Sequence, residues 1–293
     1  MRTHDELIPQ LAHARPHRRR RRWVGRILLV VLLLAVGIGG YAGYKGVVTN
    51  FGGPSCQAVA AGQSVNFSPE QTANAATITA VAVRRGLPAR AATIALATAI
   101  QESKLHNIRF GDRDSLGLFQ QRPSQGWGSQ EQIMDPYYAA NAFYDALVKI
   151  PGYESLEITD AAQRVQRSAF PTAYAQHEVM GRSFASALTG QTPEALQCTL
   201  RAPQEAGQPE TVDSELAQAY GALATAVEGE SLVVEASNGQ AWSVAQWAVA
   251  NAKDLAVTQV DVAGHSWLRK DQSGWEVSDA PDGQVRITVA PAA

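Results

Sequence analysis

Residues 88–104 read PARAATIALATAIQESK, and the middle of this stretch (Ala91, Ala92, Ile94, Ala95, Leu96, Ala97, Ala99, Ile100) is apolar on nearly every helical face. A helix without a polar face has to be buried on all sides, so the pattern predicts a central core helix over 88–104, opened by Pro88. Its end changes character abruptly to Gln101-Glu102-Ser103-Lys104. Glu102 therefore emerges from an apolar helix at its C-terminal end, where lost solvation and the negative end of the helix dipole both favour the proton-carrying form. A carboxyl group so placed can act as a general acid, whereas a solvated Glu at a helix end would be the ordinary alternative.

Upstream, Ser68-Pro69-Glu70-Gln71 combines a capping hydroxyl, a proline in the first turn and a glutamine three residues after the cap, which opens a helix running to about Arg85. Downstream, Asp135-Pro136 caps a helix over 137–149, and helical stretches fit 159–168, 171–188 and 193–198. The Gly- and Asp-rich segment between has room for a small hairpin within 105–128. The region 67–200 thus reads as a mainly α domain. Residues 45–66 read as a tether and 201–212 as a linker. Residues 213–293 read as a small α+β domain, with helices near 214–227 and 240–253 and strands near 231–236, 255–262, 266–269, 275–277 and 285–289.

The net charge of −2 over 293 residues hides three regions. Residues 1–45 carry nine Lys/Arg and two acids, residues 46–202 carry twelve of each, and residues 203–293 carry four Lys/Arg and thirteen acids. The one dense basic run, Arg18 to Arg22, directly precedes the uncharged stretch ILLVVLLLAVGIGGYAGY (27–44) instead of lining a folded domain, which argues against a nucleic-acid partner. That arrangement predicts a basic cytoplasmic tail (1–26) and a single transmembrane helix (27–44) in the inner membrane, with the remainder outside by the positive-inside rule. A cleaved signal peptide is the alternative, with a shorter core and a small-residue exit site. Cys56 and Cys198, the only cysteines, both fall on the outer side, where a disulfide between them is allowed. Two free thiols are the alternative.

Further residues extend the picture around Glu102. The run Gly111-Asp112-Arg113-Asp114-Ser115-Leu116-Gly117-Leu118-Phe119-Gln120-Gln121 follows it, and then come Ile133-Met134-Asp135-Pro136 and Asn141-Ala142-Phe143-Tyr144 with Leu147. Together with Glu102-Ser103, these resemble the ES, GDR and GL(M/F)Q signatures, and the helix after them, of the lysozyme-like superfamily. Goose-type lysozymes and soluble lytic transglycosylases belong to it, and the likeness covers about residues 70–190. It implies a mainly α lysozyme-like fold and a cleft for peptidoglycan, in which Glu102 is the catalytic acid and base for cleaving the β-1,4 bond after N-acetylmuramic acid. No cofactor is implied.

Asp112 and Asp114 are candidates for a second acid. An Asp-rich turn capped by its own side chains, or an ion pair with Arg113, is the bland reading. Where goose-type enzymes carry a further Asp two residues past the motif's Gln, this chain has Arg122, which cannot activate water and so favours transglycosylation over hydrolysis. Ser103, Gln120 and Gln121 are candidate substrate contacts, with holding the loop together as the alternative role. Trp127 and Tyr144 offer aromatic faces for sugar rings, although aromatics at helical spacing usually pack in a core. The Tyr-Asn pair of transglycosylases has no match at 161–168, so Gln163, Gln166 or Ser168 takes its place. The histidines show no ligand spacing and no metal site is expected.

The resulting expectation is a membrane-anchored glycan-cleaving enzyme. The competing reading is a peptidoglycan-binding scaffold that recruits an envelope protein through its acidic C-terminal domain.

Overall fold

The computed structural model describes residues 53–60, 62–168 and 172–292. The basic tail and the expected membrane segment 27–44 lie outside the described residues. Among those described, no helix is long and apolar enough to cross a membrane.

Helix α1 (Pro69–Arg84) starts as its sequence requires: the Ser68 hydroxyl accepts from Gln71 N, and Gln71 Oε1 accepts from Ser68 N at 2.9 Å. Helix α2 (Ala89–Ser103) follows and is buried continuously from Ala91 to Ile100. Removing each of its larger side chains, Ile94, Leu96 and Ile100, from water contributes about 1.5–3 kcal/mol. The chain then forms α3 (Gln130–Met134), α4 (Pro136–Leu147), α5 (Ile158–Gln166) and α6 (Glu178–Leu188). Asp135 caps α4 by accepting from Tyr137 N and Tyr138 N. Helix α6 crosses α2 at Gly181, where an added Cβ would meet the Thr93 carbonyl at 2.9 Å and Ala97 N at 3.1 Å. Only glycine lets the two backbones approach so closely.

The mainly α expectation is corrected by two antiparallel sheets of three and six strands; about 42% of the structure is helical and 19% strand. The smaller sheet has the order β2-β1-β3, from β1 (Ser55–Ala60), β2 (Gln63–Phe67) and β3 (Leu196–Thr199). Residues 55–60 and 63–67, expected mostly as tether, are thus paired strands, and 196–199 is a strand although 193–198 reads as helix in the sequence. Cys56 stands opposite Cys198 in the β1–β3 register and is disulfide-bonded to it. Strand β3 alternates inward and outward, with Leu196 and Cys198 buried, which is a sheet period rather than a helical one.

After β3 come α7 (Pro209–Tyr220), β4 (Thr225–Glu228), β5 (Ser231–Glu235), α8 (Asn238–Ala250), β6 (Val257–Val262), β7 (His265–Leu268), β8 (Trp275–Val277) and β9 (Gln284–Val289). The six strands order as β4-β5-β9-β6-β7-β8. The region from Pro54 onward forms one compact unit, with a single buried cluster running from Cys56 to Val289. Helix α8 is the seam, buried on every face from Ala241 to Ala250. Its Gln246 is wholly buried; Oε1 accepts from Leu196 N at 2.7 Å, and Nε2 donates to the Ala187 and Thr192 carbonyls at 2.7 and 3.1 Å. Trp275 Nε1 donates to the Leu196 carbonyl at 2.8 Å, tying β8 to β3. These bonds make the region after residue 200 part of the support of what precedes it.

Candidate active site

Helix α2 ends because Lys104 and Leu105 both adopt left-handed backbone conformations, with φ of 53° and 60°. The last turn presents two neighbouring side chains differently. Ser103 is buried, and its hydroxyl reaches the carbonyls of Ala99 (3.1 Å) and Leu118 (2.7 Å). Glu102 beside it remains partly exposed, and its Oε1 accepts a 2.8 Å hydrogen bond from the Tyr174 hydroxyl.

The loop facing Glu102's turn is built by backbone bonds. Leu116 and Gln121 form an isolated antiparallel bridge, and Gly117 N donates to the Ile108 carbonyl at 2.8 Å. Gly117 has φ of 74°, and a Cβ there would lie 2.7 Å from the Ile133 carbonyl, so the motif's glycine answers both a conformational and a spatial demand. Gln166 Nε2 donates to the Phe119 carbonyl at 2.8 Å and holds α5 against the same loop. Ser103 therefore fixes the loop 116–121 to the helix that carries Glu102, and Gln166 fixes the same loop to α5.

Most of the other sequence-derived candidates are committed to this scaffold. Gln121 is buried, with Nε2 donating to the Ala139 carbonyl at 3.1 Å. Gln120, at φ 48°, donates to the Gly117 and Phe110 carbonyls. Gln163 donates to the Ser168 carbonyl at 2.8 Å. Tyr144 is fully buried, its hydroxyl donating to the Ile78 carbonyl at 3.0 Å, so its ring offers no face to a sugar. Trp127 is partly buried against the core.

Neither aspartate is placed as Glu102 is. Asp112 is exposed, with Arg113 at 3.9 Å. Asp114 pairs with Arg122 Nε at 2.8 Å and accepts from the backbone N–H and hydroxyl of Ser124 at 2.8 and 2.9 Å. The Arg122 hydrogen bond, followed by those from Ser124, holds the Asp114 carboxyl far below the usual range, so it is a fixed anion rather than a proton carrier.

Tyr174 is the candidate site residue that sequence reasoning missed. It sits, fully buried, in the turn before Ala175–His177, inside a stretch that the sequence reads as uninterrupted helix. Burial first, then the charge of Glu102, pushes its phenol well above the ordinary tyrosine range, so it stays a hydrogen-bond donor. Beside it, His177 Nε2 lies 2.9 Å from Gln101 Oε1, and burial lowers the histidine's basicity. A cavity of about 510 Å³ lined by Asn66, Phe67, Gln71, Gln101, Gln176 and His177, among others, opens on the adjacent side of the same helix end. Among the described residues, no cluster of His, Cys, Asp and Glu is suited to a metal ion.

The site thus joins one partly exposed carboxylate, the buried phenolic donor bonded to it and a loop held by hydrogen bonds beside them. No family model matches this chain, and neither does any curated protein.

Proposed function

We propose that the protein cleaves peptidoglycan glycan strands by the single-carboxylate chemistry of lytic transglycosylases, with Glu102 as both acid and base. One observation carries the reading: Glu102 is partly exposed at the end of a buried helix and is oriented by the hydroxyl of Tyr174 at 2.8 Å. A protonated Glu102 gives its proton to the glycosidic oxygen as the bond from C1 breaks, and the substrate's own N-acetyl group stabilises the positive charge at C1. The resulting carboxylate then takes the proton of the muramoyl C6 hydroxyl while O6 bonds to C1, closing an anhydro ring and regenerating the acid. Tyr174 keeps the carboxyl group aimed and donates to it when it is negative.

Hydrolysis is the less supported outcome, because Asp114 is bound by Arg122 and Ser124 while Asp112 stands exposed beside Arg113. The proposed setting is outside the cytoplasm, at the membrane. The Cys56–Cys198 disulfide supports an oxidising compartment, and the basic run before the apolar stretch 27–44 supports attachment there.

Digestion of purified peptidoglycan followed by mass spectrometry tests the proposal. Anhydro-muramoyl ends are expected from the wild type and their loss from Glu102→Gln. Ordinary reducing ends would identify a hydrolase, and undigested glycan would overturn the enzymatic reading.

A further inference from the structure

Away from Glu102, a cavity of about 560 Å³ lies between the segment Leu200–Pro203 and strands β6 and β7. Its charged lining is Arg201, Arg269 and Lys270, with no carboxylate, and Leu200, Ala202, Pro203 and Leu268 supply apolar walls. This is unexpected in a stretch, 203–293, where acids outnumber bases by thirteen to four. None of these acids lines the cavity, although Glu205 and Asp254 line an adjoining one of about 540 Å³ that shares Leu200, Arg201, Ala202, Pro203 and Arg269 with it.

Arg269 is the anchor. It is 6% exposed, its Nε donates to the Arg201 carbonyl at 2.7 Å, and its Nη1 donates to the Ala252 and Val257 carbonyls at 2.7 and 3.2 Å. Its Nη2 donates to none of the described residues and remains open to solvent. Carbonyl dipoles satisfy donors without cancelling charge, and none of the seven ion pairs among the described residues includes Arg269, Arg201 or Lys270. A buried cation without a counter-charge is costly to keep, and burial here weakens its hold on its proton. An anion from outside would remove that cost.

We propose that this cavity binds an organic carboxylate that carries a small apolar group, for which the end of a short peptide serves as the probe. Arg269 Nη2 and the exposed Arg201 and Lys270 take the carboxylate, and the apolar side chain lies against Leu200, Pro203 and Leu268. Inorganic phosphate would meet the charges but leave that apolar surface wet, which favours an organic acid. Glu102 does not line this cavity, and glycan cleavage is not needed for a ligand to bind in it.

Calorimetric titration of the full-length protein with N-acetyl-alanyl-alanine, its C-terminal amide and inorganic phosphate tests it. The acid is expected to bind, and the amide at least about tenfold more weakly, as loss of one charge-assisted contact implies. Arg201→Ala with Lys270→Ala, both exposed positions, is expected to weaken acid binding at least about tenfold with the melting temperature retained. Equal affinity for acid and amide, phosphate binding as tight as the peptide, no detectable peptide binding, or an unaffected double variant would each overturn the assignment.

Discussion

The Tyr174 hydroxyl donates to Oε1 of Glu102 at 2.8 Å across 72 residues of chain. The phenol comes from the turn preceding α6 and the carboxylate from the end of α2, so the close crossing of these helices at Gly181 determines whether the two groups meet. Tyr174→Phe keeps the ring in its buried place and removes only the donor. Turnover of peptidoglycan should fall by about 10-fold or more, the scale of one charge-assisted hydrogen bond, with little change in melting temperature. Undiminished turnover would remove Tyr174 from the mechanism.

Glu102→Gln should lower anhydro-product release by at least about 10²–10⁴-fold, the contribution of general acid–base catalysis. The variant keeps the shape of the side chain, so circular dichroism and thermal unfolding should match the wild type. A parallel loss of folding would make the rate effect uninformative about proton transfer, and Glu102→Asp, with its shorter reach, then provides the second measurement.

Asp114→Asn tests the loop's electrostatics by pH. The Asp114 carboxyl is lowered in the folded state, so its stabilising contribution is fully present above its unfolded value of 3.8 and is lost as pH falls below that towards the native value. The wild type should therefore unfold at a higher temperature than the variant at pH 7. The difference should narrow only below about pH 4. A difference that peaks in acid would contradict the ion pair with Arg122.

Much of this architecture is legible locally and much is not. The capping box at Ser68, the Asp135 cap, the all-apolar run 91–100 and strands β5 to β9 carry their signals within a few residues and form close to their expected places, whereas β4 forms where the sequence reads as helix to 227. Strands β1 and β2 escape detection because Gln63, Ser64 and Asn66 give the second of them a polar face that reads as tether. Residues 193–198 suggest a helix by their proline and alanine, but pairing with β1 and the bond from Gln246 decide for a strand. Glu102 and Ser103 announce themselves by contrast with the apolar helix. Tyr174 does not, since its meaning lies in a contact distant in sequence.

Gln246→Leu should test the seam between the helical region and the larger sheet. The substitution leaves Leu196 N and the carbonyls of Ala187 and Thr192 without their partner, at about 1–3 kcal/mol for each buried group left unsatisfied. A single cooperative unfolding transition, shifted to lower denaturant, is expected. Two separated transitions in the wild type would show that the region after residue 200 folds independently.

Reduction of the Cys56–Cys198 bond should lower stability by about 2–5 kcal/mol, measured as a shift in denaturant midpoint with and without reductant. Cys56→Ser with Cys198→Ser should reproduce the shift and respond no further to reductant.

The position of β1 in the middle of the smaller sheet also governs how the protein bears mechanical load. Tension applied upstream of Pro54 enters the fold through β1, which is hydrogen-bonded along both edges and joined covalently to β3. The bridge passes the pull directly from residue 56 to residue 198, so the 142-residue interval that includes Glu102 is bypassed and cannot be drawn out while the sulfurs remain bonded. Single-molecule stretching in oxidising and reducing buffer would show this as a contour length that is released only after reduction.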